Sequence, residues 1–595
     1  MSLRSAAASA LIVAHFVAPG ITPTGNGYRQ IIKQVLINGF IMRWIATVFV
    51  LVWCVVPCSA FQIVEFCPDP YLHDDADEYL VISGSGYLDG ITVSDGNGGF
   101  RFPPGTAMNG QITVARDAVA FETTHGRLPD FEWFGYSPLV PDVISGDKLR
   151  MANTRDRLLL YENGALVQAV SWPEDVKPRE GQVHFLEKGV WDRRPLFIGQ
   201  SRFSIDTFDN VTITAFVSPD SSYEVFLHAV ASAGRTIHLN VYEFTSPALS
   251  GPLIDAHQRG VQVLVLLEGG PVGGISTEEK DLIWRVNQSG IPIYQMAATG
   301  DRKAPYRFDH AKYLVTDGRA VLVTSENFGQ SGFPAGGIRG NRGWGVYLES
   351  RDLAAYFEGV FLSDIHGINS VPVGGTPSPL KTPSPIPYTV EFFPQQFSGA
   401  RVTPVIAPDT SYLIQDLLNN AQETIDIEQA YITNESATAL NPYLGAAINA
   451  SRRGVHVRVL LDSYWYNVED TKDNDEMAAL INRVAAAERL PLEGRIADIE
   501  SNNLEKIHNK GVIVDNRSVL VSSINWNANS PNFNREAGVI IEHPAAARYF
   551  KNVFEDDWQP VRPGASQKTD YLKIAVLIAV ILCLMLIYMW NLKRR

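Results

Sequence analysis

The sequence predicts a multi-domain chain in which an N-terminal all-β sandwich is followed by a duplicated α/β fold and a C-terminal transmembrane helix. Three features predict it: short alternating apolar segments broken by Gly, Pro, Asn and Asp over residues 61–200, a chain that repeats itself from about residue 203 to 560, and an uncharged apolar run near the C-terminus. At 595 residues the chain exceeds what one core holds, and 46% hydrophobic against 19% charged residues excludes global disorder. A formal charge of −14, from 50 basic and 64 acidic side chains, argues against coating nucleic acid over the whole surface and leaves room for a local basic site. Four cysteines, at positions 54, 58, 67 and 583, three of them in apolar terminal segments, exclude a disulfide scaffold and a cysteine-based zinc site.

At the front, Met42 and Arg43 precede the apolar run Trp44 to Val56, and Cys58, Ser59 and Ala60 supply small residues at a cleavage point. Residues 42–60 therefore read as a signal peptide, with Met42 as the start and 1–41 as a misassigned upstream extension; the rival reading is an uncleaved N-terminal anchor. At the far end, Ile574 to Trp590, with Tyr571 and Leu572 added, is long enough to cross a bilayer, so 571–592 is expected to span it. Tyr588 and Trp590 suit the interface, and Lys593, Arg594 and Arg595 put the C-terminus in the cytoplasm. The expected arrangement is a single-pass cell-membrane protein with an extracytoplasmic body, whose one remaining thiol is Cys67.

Residues 61–200 carry strand-like segments such as Glu78 to Ile82, Gly90 to Val93 and Leu158 to Tyr161. Ile63-Val64-Glu65-Phe66, Asp77-Glu78-Tyr79-Leu80 and Phe100-Arg101-Phe102-Pro103-Pro104-Gly105-Thr106 resemble the lamin-tail type of immunoglobulin-like domain. That resemblance implies a binding or spacer unit, and no catalytic constellation is visible there.

The repeat sets half one (203–365) against half two (389–560). Pro219-Asp220 and Tyr223 recur as Pro408-Asp409 and Tyr412, Arg259-Gly260-Val261 as Arg453-Gly454-Val455, Asn341-Arg342-Gly343 as Asn534-Arg535-Glu536, and Tyr356-Phe357 as Tyr549-Phe550. Each half reads as a β/α unit, its helices ended by glycine and its apolar strands covered on both faces. Between the halves, 366–388 holds Pro372, Pro377, Pro379, Pro383, Pro385 and Pro387 and reads as an extended linker.

Half one carries His310-Ala311-Lys312, then Asp317, Ser325 and Asn327; half two carries His508-Asn509-Lys510, Asp515, Ser523 and Asn525 at the same spacings. Alternation along a strand turns each imidazole and its ammonium to one face. Asp317-Gly318 and Asp515-Asn516 are hairpin signals whose returning strands carry the Ser and Asn back toward the histidines. Two such surfaces facing across a pseudo-twofold axis make one pocket suited to a phosphodiester. The lysines and asparagines supply charge and donors to the equatorial oxygens, one His attacks phosphorus, the other protonates the leaving oxygen, and the carboxylates fix the tautomers and keep the acid protonated. No metal or other cofactor is needed by this scheme.

The paired His-x-Lys-x4-Asp strings resemble the signatures of the phospholipase D superfamily. The resemblance covers about 203–560 and implies a two-lobed fold with one shared site, a covalent phosphohistidine, and His310 as nucleophile with His508 as acid/base, an assignment open to reversal. Family members carry a carboxylate shortly after the Asn: Glu536 supplies it in half two, while half one has Gly343, so Glu536 is expected to buttress one histidine only. Arg302, Lys303 and Arg307 are candidates for steering an anion or for a solvated loop, Trp344 and Trp526 for core packing, and Tyr464, Trp465 and Tyr466 for a substrate wall. The leading expectation is a membrane-tethered phosphodiesterase or phosphatidyltransferase acting on phospholipids. The alternatives are a nuclease of the same superfamily acting on DNA or RNA, and a non-catalytic adhesion or scaffold protein; oligomeric state is not legible.

Overall fold

The computed structural model describes residues 61–559, apart from 136, 173–178, 188, 193, 301, 380–383, 437–438 and 470–472. The upstream extension, the signal peptide, the 571–592 span and Cys54, Cys58 and Cys583 all lie outside the described residues. Among the described residues no helix is long and apolar enough to cross a membrane, and Cys67 is free and buried.

Apolar residues that recur without polar alternation need cover on both faces, and the repeat obtains it by building one sheet of fifteen strands across both halves. From the centre outward, half one runs Phe208–Ser218, Gly343–Glu349, Ala320–Thr324, Lys312–Thr316, Thr236–Val241, Gln262–Glu268 and Ile293–Met296. Half two runs Gln395–Ala407, Glu536–Glu542, Ser518–Ser522, Lys510–Val514, Thr424–Gln429, His456–Leu461 and Leu492–Ile496, the same order mirrored. The halves join where Phe208–Ser218 pairs antiparallel with Gln395–Ala407. The outer three strands of each half are parallel, connected through helices. Gly260 and Gly454, at φ of 94° and 99°, make the left-handed step after helices Pro247–Gln258 and Pro442–Arg452 that a side-chain-bearing residue resists.

One face of the sheet is covered by helices Arg351–Ile365 and Pro544–Trp558, whose Phe357, Phe361, Phe550 and Phe554 share a single core with Trp344, Val346, Ile513 and Val539. That core takes residues from both halves, so neither half completes it alone. On the opposite face each half has its own core, around Phe226, Leu239 and Phe328 in one and Leu444, Ile427 and Trp526 in the other. Trp344 and Trp526 are thus fully buried packing residues.

The N-terminal region is β-rich. One sheet contains Phe61–Cys67, Tyr79–Tyr87, Ala107–Ala115 and Gln182–Glu187, a second contains Ile91–Ser94, Asp156–Glu162 and Ala165–Trp172, and Ile63, Leu80, Phe100, Val114, Leu158 and Leu160 form the core between them. The chain leaving it is fixed to half two: the Ser201 hydroxyl and the Phe203 amide both donate to the Asp409 carboxylate. The proline-rich segment, expected as an extended linker, is extended but attached. Ser370–Pro372 adds a strand beside Ile293–Met296, and the amides of Thr376 and Ser378 donate to Lys280 O and to the Asp281 carboxylate. Pro372 lacks a donor on the outermost strand of the sheet, where none is required.

Candidate active site

Each motif histidine sits just before a central strand and is pinned by the other half. His310 N donates to Arg535 O at 2.8 Å and Arg535 N to Phe308 O at 2.9 Å; in mirror fashion His508 N donates to Arg342 O and Arg342 N to Lys506 O, both at 2.8 Å. Inside its own half, the residue before each histidine donates its amide to an acid at the end of a parallel strand, Asp309 to Glu268 and Ile507 to Asp462.

The pinning residues are held by buried ion pairs that cross the axis. Arg342 reaches Asp220 of its own half at 2.7 Å and Asp557 of the other at 2.8 Å, and Arg535 reaches Asp409 of its own half at 3.1 Å and Asp364 of the other at 2.8 Å. A buried guanidinium is tolerable only when its donors are met, and each of these also donates to a backbone carbonyl, Ser218 O and Ala407 O. The aligned Pro-Asp and Asn-Arg pairs of the repeat are therefore a frame that carries both histidines to one place.

At that place the imidazoles are held crosswise. His310 Nδ1 lies 2.9 Å from Glu536 Oε2, and His508 Nδ1 lies 3.3 Å from Glu326 Oε2. Lys312 Nζ and Lys510 Nζ donate to the carbonyls of their own histidines, at 2.8 and 2.6 Å. The groups form one electrostatic unit. Burial first, then the Lys510, Lys506 and Lys312 ammoniums and the His310 ring, hold the His508 ring well below the ordinary range. His310 is pushed down to about 4 by burial, against an upward pull from Glu536. Lys312 is lowered to about 8 by burial, while Lys510 is driven well below its ordinary value by burial and by Lys312 beside it. Two close ammoniums in a dry site repel, so the pair gains its full charge only when an anion joins it.

Several expectations need correction. Asp317 and Asp515 do not touch the histidines. The Asp317 carboxylate accepts the amides of Gly234, Arg235 and Thr236, and that of Asp515 the amides of Gln422, Glu423 and Thr424. Each follows the far end of a five-residue strand that its lysine begins, and five steps at about 3.3 Å per residue place it roughly 16 Å along the chain from that lysine. They hold the start of the neighbouring strand, from left-handed positions at φ of 55° and 53° that Asp tolerates.

The second correction concerns the carboxylates that do face the rings. Glu536 serves the histidine of the opposite half, and half one is not deficient. Glu326, between Ser325 and Asn327, turns into the space that a side chain on residue 343 would fill: a Cβ built on Gly343 would lie 2.2 Å from Glu326 Oε1. Asn341 Nδ2 donates to Glu326 Oε2 at 2.9 Å as Asn534 Nδ2 donates to Glu536 Oε1 at 3.0 Å. Glu326 was the residue missed, and its signal was a compensating exchange: Glu326 and Gly343 stand where half two has Ile524 and Glu536. A third correction is that no carboxylate keeps the His508 acid protonated in the free protein, because burial and three ammoniums outweigh it.

The remaining candidates divide. The Ser523 hydroxyl donates to Glu536 Oε2 at 2.6 Å, on the oxygen that faces His310. Ser325 Oγ instead accepts from Trp344 N. Asn327 Nδ2 donates to Glu243 at 2.7 Å, and Asn525 has a buried side-chain oxygen with no protein partner. Arg302 donates to Thr123 O, Lys303 pairs with Glu180 and Arg307 donates to Asn529, so all three are engaged at domain and half boundaries. Tyr464, Trp465 and Tyr466 pack ring against ring after strand His456–Leu461, with Trp465 and Tyr466 exposed and the Tyr466 hydroxyl 3.1 Å from Lys506 Nζ. On the half-one side, Tyr242 lies edge-on to His310 at 4.6 Å between ring centres. A cavity of about 150 Å³ between Leu196 and Tyr443 is lined by neither histidine. Among the described residues no group of three or more His, Cys, Asp or Glu is placed to hold a metal.

The family described as "Cardiolipin synthase, PLD-like domain" matches residues 226–365 and 414–558, one match in each half and each containing one His-x-Lys string. The chain belongs to the phospholipase D superfamily. It is similar to mitochondrial cardiolipin hydrolase of Mus musculus, 26% identical over 29% of this chain and 76% of that protein, and to its counterpart of Canis lupus familiaris, 28% identical over 21% of this chain. The aligned part spans 43% of the canine protein, under half its length. Among solved structures, phosphatidylserine synthase of Haemophilus influenzae covers 58% of this chain and 85% of that one, at 14% identity and a TM-score of 0.42. The superfamily match stops short of the N-terminal β-rich region.

Proposed function

We propose that the protein is a phosphodiesterase or phosphatidyltransferase that works through a covalent phosphohistidine, tethered to a membrane with its body extracytoplasmic. The single observation that carries the chemistry is the crossed pair of contacts, His310 with Glu536 and His508 with Glu326. A carboxylate on Nδ1 fixes that nitrogen as the proton-bearing one and leaves Nε2 of each ring for the reaction. His310, neutral because burial lowers it to about 4, attacks phosphorus through Nε2 and a P–N bond forms. The P–O bond to the leaving alcohol breaks, and the departing oxygen takes the proton from His508 Nε2.

His508 is neutral in the free site, so it acquires that proton with the substrate, whose negative charge opposes the ammoniums that keep it off. In the second step His508 removes a proton from water or an acceptor alcohol, the new P–O bond forms and the P–N bond breaks. Lys312 and Lys510 stabilise the charge on the equatorial oxygens throughout. The membrane reading rests on the sequence of residues 42–60 and 571–592, and the lamin-tail resemblance supports a binding or spacer role for the N-terminal region. A nuclease activity is the second reading, kept because a phosphodiester in DNA presents the same reacting atoms.

The test uses the full chain in detergent with a chelator present. It should hydrolyse bis(p-nitrophenyl) phosphate, and His310→Ala and His508→Ala should each lower kcat by about 10³-fold or more. In the presence of radiolabelled substrate, His508→Ala should retain label on the protein after an alkaline quench and His310→Ala should not. Equal labelling of both variants, or activity surviving either substitution, rejects the scheme.

A further inference from the structure

Beyond the exchanged carboxylates, the two walls of the site differ two residues before the histidine, where half one has Phe308 and half two has Lys506. On the half-one side Phe308 stands edge-on to Tyr242, which meets His310, and Val272 is exposed while its amide donates to the Tyr242 hydroxyl. That wall is apolar and aromatic. On the half-two side Lys506 is fixed through its carbonyl to Arg342 N, and its ammonium donates to the Tyr466 hydroxyl at 3.1 Å. Lys506, His508 and Lys510 alternate along extended chain and so share a face. The groups facing Lys506 are Tyr466, Glu326 and Asp462, which together outweigh the burial that opposes its charge and keep it protonated.

We propose that Lys506 and Tyr466 form an anion subsite for the leaving alcohol, so that the preferred substrate is a phospholipid whose headgroup carries a further anionic group. The proposal rests on the phosphodiesterase reading with His310 as nucleophile. In-line attack from His310 places the leaving oxygen on the His508 side, beside Lys506. A second phosphate or carboxylate on that alcohol receives an ammonium and a hydroxyl donor, and the Tyr464–Tyr466 rings flank it. The aromatic wall of Phe308, Tyr242 and Val272 is left for the glycerolipid that stays on phosphorus. A polynucleotide carries an anion on both sides of the scissile phosphate and gains nothing from one apolar wall, so the asymmetry favours a lipid.

The experiment measures kcat/KM of the full chain in mixed micelles on phosphatidylglycerol and on phosphatidylglycerol phosphate, with a single-stranded oligonucleotide as a third substrate. The wild-type protein should prefer the lipid with the second phosphate by about tenfold or more, the size of one hydrogen bond to a charged group. Lys506→Met should bring the ratio of the two lipids close to one, Lys506→Arg should largely restore it, and Tyr466→Phe, at an exposed ring, should lower it by about threefold. An unchanged ratio in Lys506→Met, or a loss shared equally by both lipids, overturns the subsite. Faster turnover of the oligonucleotide than of either lipid overturns the lipid class. No turnover of any substrate by the wild type rejects the phosphodiesterase reading instead.

Discussion

Half one and half two share a frame and differ in their chemistry. The frame is symmetric in detail: the same Arg, crossing the same axis, meets an Asp of each half, and the same backbone pairs pin the same histidine positions. The carboxylates that orient the rings are not equivalent. Glu536 accepts from His310, Ser523, Ser530 and Asn534, and His310, Lys312 and Ser523 hold it below the usual carboxylate range despite burial. Glu326 has Asn341 and the more distant His508, its Oε1 has no partner, and burial raises it. An ionised, fully bonded Glu536 suits the ring that must carry positive charge as a phosphohistidine; a weakly held Glu326 suits a ring that must give its proton up. The difference supports His310 as the nucleophile by an electrostatic criterion independent of family precedent.

The largest expected effect tests the symmetric part. Arg342→Met and Arg535→Met each leave two buried aspartates without their cation, which should cost about 3–5 kcal/mol in either half. Denaturant unfolding of the two variants should agree within about 1 kcal/mol, with Arg535 the costlier because it also donates to Ser201 and Tyr306. A large loss in one half alone breaks the idea of a common frame. The asymmetric part should answer differently. Glu536→Gln should lower kcat by about 10⁴-fold, the size seen when a triad carboxylate is neutralised, and Glu326→Gln by only about tenfold. The reverse ranking assigns the nucleophile to His508.

The exchange of Glu326 for a carboxylate at position 343 gives a sharper form of that comparison. Gly343→Glu alone places its side chain on Glu326 and should displace it from His508, lowering turnover. Adding Glu326→Ile rebuilds the half-two arrangement in half one, so the double variant should recover activity that each single variant loses. Simple addition of the two losses would show that the carboxylates are not interchangeable.

The frame and the motif were legible in the sequence for one reason: a duplicated chain is its own comparison. The division into two β/α halves and the register of His310 against His508 follow from spacings that occur twice. What alternation and spacing do not report is partner choice across the axis. The strand that holds His310 is apolar and in register whichever carboxylate serves it, so the crossing of Glu536 to His310 is fixed only by the Arg535 pairing in three dimensions. For the same reason Asp317 and Asp515 read as catalytic from proximity in sequence, although a strand's length separates them from the rings. Lys506 had a signal, opposite Phe308 in the repeat, but one charge near a basic motif carries no address until Tyr466 is beside it.

The pH profile separates the halves through their electrostatics. For kcat/KM, activity should decline on the basic side from below the ordinary imidazole range, where the free His508 ring has lost its proton, and more steeply through about 8, where Lys312 loses its charge; it should also fall as pH drops through about 4, where His310 takes a proton and cannot attack. Glu536 raises both groups, so Glu536→Gln should move both limbs to lower pH. Glu326 is not among the groups acting on His310, so Glu326→Gln should leave the acid limb in place. A shift of the acid limb by Glu326→Gln would mean that the rings are coupled more tightly than their carboxylates indicate.

The smallest effect belongs to Asp317 and Asp515, and it tests whether the motif's third residue is chemistry or architecture. Each carboxylate accepts three backbone amides at the start of a strand. Asn at these positions keeps the left-handed backbone but loses the charge and one acceptor oxygen, for an expected cost of about 1–2 kcal/mol. The three amides that outweigh burial hold the Asp317 carboxyl below its ordinary value, so its contribution is present above that ordinary value and is lost as pH falls through the lowered one. The stability difference between wild type and Asp317→Asn should therefore narrow in acid. Turnover of either variant should stay within about threefold of wild type, because a strand transmits little of a change made seven residues from the reacting ring. A loss of turnover at unchanged stability would return the two aspartates to the reaction and remove the distinction between frame and chemistry on which the comparison of the halves depends.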